Sequence, residues 1–99
     1  MNTIPNEAIK SYLKTLIDKV YKVLPMKEEN SETLHCYLTG LTHELIGAYR
    51  LHFELVDEPR FLNVVSIVKY LESNDFDTAT CKREVFKAIR LIQNIVKEG

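Results

Sequence analysis

The chain has 99 residues, 45% hydrophobic and 27% charged, which is enough for one core and not for two. Three glycines and three prolines argue against a turn-rich β architecture and for a few long elements. A formal net charge of −1 excludes a global field that would recruit nucleic acid or a membrane, so any such binding must come from a local patch.

The first helix is expected over about Pro5 to Leu24. Proline suits an opening turn, where its missing N–H costs nothing. Ile9, Leu13, Leu16, Ile17, Val20 and Leu24 recur at helical steps, with Lys10, Lys14, Asp18 and Lys22 opposite. Pro25 is expected to stop the helix, because a residue before proline is pushed out of helical dihedrals.

Asn30 or Ser31 is the expected N-cap of a second helix running to about Glu54. Its apolar stripe is Leu34, Leu38, Leu41, Leu45, Ala48, Tyr49 and His52. Gly40 and Gly47 each weaken it by about 1 kcal/mol relative to Ala. They share one side with Cys36 and His43, where another backbone can come close or the helix can bend.

Asp57 as cap and Pro59 in the first turn place a third helix over 59–72. Phe61, Val64, Val65, Val68 and Leu71 form one side of it, widened by Leu62 and Ile67. The run Val-Val-Ser-Ile-Val is also strand-like in composition. A lone strand has no partner in this chain, and helix is the expected state.

The last helix is expected over 78–97, with Asp77 as N-cap. Cys81, Val85, Ala88, Ile89, Ile92, Ile95 and Val96 make its apolar stripe. The expected fold is all-α, a small four-helix bundle, antiparallel and up-and-down, forming the single domain 1–99.

Met1–Glu7 has neither the basic nor the apolar region of a signal peptide. No apolar run approaches the ~20 residues needed to cross a bilayer. A cytoplasmic protein without membrane contact is therefore expected. Cys36 and Cys81 are expected to be reduced, a disulfide between them being the alternative.

Three surfaces are candidates for function. Arg83, Lys87, Arg90 and Lys97 form a basic stripe on the last helix, able to meet phosphates or an acidic protein surface. The alternative is a solvated face whose late cations complement the helix dipole. The Cys36, Gly40, His43 and Gly47 side of the second helix is a candidate packing face for a second copy or a partner, unless another helix of the same chain fills it. His52 falls in an apolar stripe and is expected to be a buried polar group with one hydrogen-bond partner.

His35, Cys36, His43 and Glu44 are ligand-type residues, but neither His35/His43 nor Cys36/His43 has i, i+3 or i+4 spacing, so no metal is expected. A helix-turn-helix is disfavoured because the 73–77 link holds two aspartates and no glycine. There is no nucleophile elbow, phosphate loop or dinucleotide turn, and neither an enzyme nor a cofactor is expected. The function expected is a non-enzymatic helical module binding another protein, in an accessory, adaptor or inhibitor-like role. The alternative is a nucleic-acid-associated protein using the basic face of the last helix.

Overall fold

The computed structural model describes residues 7–98, apart from the side chains of Phe53, Glu54 and Glu98. Pro5, the expected opening of the first helix, lies outside the described residues. The remainder is all-α, with no strand among the described residues. Four helices are present as six segments: α1 (Glu7–Tyr21), α2 (Val23–Glu28), α3 (Leu34–Leu51), α4 (Phe53–Val56), α5 (Pro59–Ser73) and α6 (Thr78–Glu98).

Pro25 does not stop the first helix where proline steric rules alone suggest. The helix breaks at Lys22 and resumes as α2, which runs through Pro25 to Glu28. Proline removes the N–H that would pair with the carbonyl four residues back, and its ring crowds that carbonyl. The break therefore falls at Tyr21–Lys22, and Pro25 lies in the first turn of α2. Asn30 is not the cap of the next helix but the terminator of this one. It takes φ 53°, with Asn30 N donating to Lys27 O at 3.0 Å and Ser31 N to Met26 O at 2.9 Å. That pair of bonds is a Schellman ending.

The next helix begins later and ends earlier than its 31–54 pattern suggests. Ser31 Oγ accepts from Thr33 N at 3.2 Å in a local turn, and α3 starts at Leu34. At the far end, His52 is extended (φ −104°, ψ 102°) and separates α3 from α4. The cap of α5 is Glu58, not Asp57. Its carboxylate accepts from Arg60 N at 3.2 Å, with Pro59 at N1. Asp77 Oδ1 accepts from Thr80 N at 2.8 Å at the start of α6.

α6 packs against α1, α2 and α5, and α5 packs against α3. With 21 residues, α6 is about 31 Å long and fits only along the 41 Å axis of the molecule. The side between α1 and α3 is not closed by such backbone packing. It is bridged by side chains. Lys19 Nζ lies 2.9 Å from Glu44 Oε2, Tyr12 donates to the same oxygen at 3.1 Å, and Tyr37 donates to Lys19 O at 2.6 Å.

The core is one cluster to which every helix contributes, with Ile9, Leu13, Leu16, Leu45, Leu55, Phe61, Val64, Val85 and Ile92 fully buried. Burial of each such side chain contributes roughly 1.5–3 kcal/mol before the cost of ordering it. Phe61 stacks on Tyr49 with ring centroids 6.5 Å apart. Thr42 is the one buried polar residue among those described, and its hydroxyl donates to Leu38 O at 2.8 Å. Leu62, expected on the widened apolar face of α5, is instead 47% exposed.

Candidate functional site

The outer face of α6 carries the largest group of accessible cations. Cys81, Val85, Ala88, Ile92 and Ile95 turn inward and are fully buried, which sends Arg83, Lys87, Arg90 and Lys97 outward. Arg83 Nε lies 3.1 Å from Glu84 and Lys87 Nζ 3.9 Å from it. One carboxylate is therefore shared by two cations. Arg90 and Lys97 have no carboxylate partner among the described residues.

Phe86 stands among these cations, three residues after Arg83 and four before Arg90, and is 44% exposed. The aromatic ring and the flanking guanidiniums thus share one helix face. Sequence pattern alone treats this stripe as basic and passes over the ring. A wheel at about 100° per residue was enough to place Phe86 outside the apolar stripe.

α1 borders this face. Its Tyr12 and Lys19 flank is committed to Glu44 on α3. Lys10, Lys14 and the half-exposed Tyr21 occupy the opposite flank by helical spacing, on the side of its other neighbour, α6. Lys10 and Lys14 have no carboxylate partner among the described residues. Glu7 and Asp18, both exposed, lie on the same flank of α1, so its lysines are interleaved with carboxylates and the continuous basic stripe is that of α6.

Cys36, Gly40, His43 and Gly47 are all exposed along α3. A methyl group added at Gly40 or Gly47 would meet nothing within 4 Å. Among the described residues no helix occupies the glycine face. Cys36 and Gly40 also line a groove of ≈ 640 Å³ between α1 and α3, floored by Leu41 and walled by Lys19 and Lys22.

His52 is only half-buried, since it lies at the break between α3 and α4 rather than within a continuous stripe. Its ring centroid is 6.4 Å from that of Tyr12. The Tyr12 hydroxyl is pushed well above its ordinary pKa of 10.0, first by burial and then by the charge and hydrogen bond of Glu44. Burial raises Tyr37 in the same direction, with Glu44 adding to it.

Cys36 is exposed and Cys81 buried, and both are free thiols. Burial pushes the Cys81 thiol up. Among the described residues no group of three His, Cys, Asp or Glu side chains could hold a metal ion, and His35, Cys36 and His43 stand apart on exposed positions of α3. Among the described residues no helix is long and apolar enough to cross a membrane.

Comparisons of the chain with family models, with curated proteins and with solved structures yield no match.

Proposed function

We propose that this protein is a non-enzymatic binding module that presents the outer face of α6 to an acidic surface of a partner protein. The observation that carries the reading is Phe86, exposed between Arg83, Lys87 and Arg90. An aromatic ring ringed by arginines is the composition of interaction hot spots, where the ring fills a pocket and the cations meet carboxylates around it. The cations of α6 favour attraction to an acidic partner.

The same cations support a second reading, in which the face meets nucleic-acid phosphates and Phe86 stacks on an unpaired base. The two separate on salt and on the ring. Fluorescence anisotropy with a labelled generic duplex and a labelled single strand, from low to physiological salt, is the test. The protein-binding reading predicts no saturable binding to either. Binding that weakens steeply with salt and is lost in Phe86→Ser would replace it with the nucleic-acid reading.

A further inference from the structure

At one end of the bundle, where α2 gives way to α3 and α5 to α6, a pocket of ≈ 580 Å³ opens to solvent. That is within the roughly 300–1,000 Å³ of ligand-binding clefts. Leu34, Leu38, Leu71 and Phe76 give it apolar walls, all belonging to the core cluster or packed against it. Its rim is acidic. Glu32, Glu72 and Asp75 stand around it.

Two basic residues, Lys27 and His35, line the pocket beside the three carboxylates, which outnumber them. Lys27 Nζ lies over the Phe76 ring, 4.9 Å from its centroid. Glu72 accepts from Thr39 at 3.2 Å and Ser73 at 3.1 Å, and the Ser73 bond foremost, then the Thr39 bond and the nearby Lys69 and His35, hold its carboxyl below the ordinary carboxylate range. It is charged at neutral pH. Glu32 and Asp75 are exposed and have no cation partner among the described residues.

We infer that this pocket seats a basic segment of a partner protein, with a large apolar side chain against Leu34, Leu38, Leu71 and Phe76 and flanking Arg or Lys side chains on Glu32 and Asp75. An anionic ligand would be repelled by the rim, and a neutral one would leave its carboxylates unmatched. The inference does not depend on the α6 face, whose charge is opposite. It gives the molecule two binding ends of complementary sign.

The test uses the full-length, isotopically labelled protein and two probes, acetyl-Arg-Leu-Arg-amide and acetyl-Glu-Leu-Glu-amide, followed by two-dimensional NMR. The basic peptide should shift amides in 34–38 and 71–76 and saturate at low-millimolar concentration. The acidic peptide should shift none of them. The double variant Glu32→Gln/Asp75→Asn should weaken binding about five-fold, as expected for two exposed ion pairs, with its dispersed spectrum otherwise unchanged. Arg83→Glu/Arg90→Glu should leave peptide binding unaltered, which separates this site from the α6 proposal. Equal shifts with both peptides, shifts elsewhere, or no saturation would overturn the inference. So would a sedimentation mass that rises with protein concentration and falls back in the Glu32/Asp75 variant, because the occupant would then be a second copy.

Discussion

Lys19 Nζ lies 3.0 and 2.9 Å from the two carboxylate oxygens of Glu44, and this ion pair spans the one side of the helix ring that backbone packing leaves open. Tyr12 adds a third bond to the same carboxylate. The link between α1 and α3 is therefore polar where the other sides are apolar. Both charged groups are more than a third exposed as side chains, so water screens them. Lys19→Met is expected to lower unfolding stability by only ~0.5 kcal/mol, measured by urea denaturation, and by less at 1 M salt.

Tyr12 and Tyr37 predict the alkaline limit of the fold. Both hydroxyls are raised in the folded state, chiefly by burial. A raised pKa means that folding favours the protonated form. Its contribution is complete below the unfolded value of 10.0 and is lost as pH rises beyond it. Melting temperature should fall above about pH 10, and the fall should be shallower in Tyr12→Phe. An equally steep fall in Tyr12→Phe would remove Tyr12 from the account.

Glu58 predicts behaviour at the acid end. Arg60 bonds its carboxylate through Nε at 2.7 Å and Nη2 at 2.9 Å, holding it below the ordinary carboxylate value. A lowered pKa contributes stability above the unfolded value of 4.5 that is lost as pH falls below it. As the N-cap of α5, Glu58→Ala should cost about 1 kcal/mol at pH 7 and flatten the loss below pH 4.5.

Gly40 and Gly47 lie inside a continuous helix with open space where a side chain would go. Gly40→Ala and Gly47→Ala should each stabilise the protein by up to about 1 kcal/mol, a rise in Tm of roughly 4–8 °C for a domain this size. Unchanged or lowered Tm would mean that these positions meet something in solution, a second copy being the first suspect.

The two thiols should differ in reactivity. Cys36 is exposed and Cys81 fully buried with its thiol pushed up. A disulfide-exchange reagent under native conditions should titrate one thiol at once and the second only on unfolding.

The helices could be read from the chain because apolar residues recur at helical steps, and Phe61, Val64, Val68 and Leu71 are buried as that spacing requires. Ends were harder to read. Pro25 acts on the carbonyl four residues before it, so the break falls at Lys22 and not at the proline. Asn30 is as acceptable in a left-handed terminator as in a cap, and composition does not distinguish the two. His52 fits the stripe of a longer helix and marks its break instead. The pocket at the acidic end was not legible, since its walls come from two helices and a link that only tertiary packing joins. The cations of α6 were legible as a stripe, and Phe86 among them follows from the same helical wheel.

The rotation of α5 has its own test in Val68, which is 1% exposed at its centre. Val68→Asp buries an unpaired charge and should cost more than ~3 kcal/mol, seen as loss of helicity by circular dichroism. Retained helicity with an unchanged Tm would displace α5 from the core.

Quantitative capture of partners from the native host tests the α6 face as a binding surface. Wild type, Arg83→Glu/Arg90→Glu, Phe86→Ser and Gly47→Leu would be compared at equal loading. A partner should be retained by wild type and Gly47→Leu and lost from both α6 variants. A partner that survives the charge reversal and the loss of the ring, but not the change at Gly47, would contradict it and move the binding surface to α3.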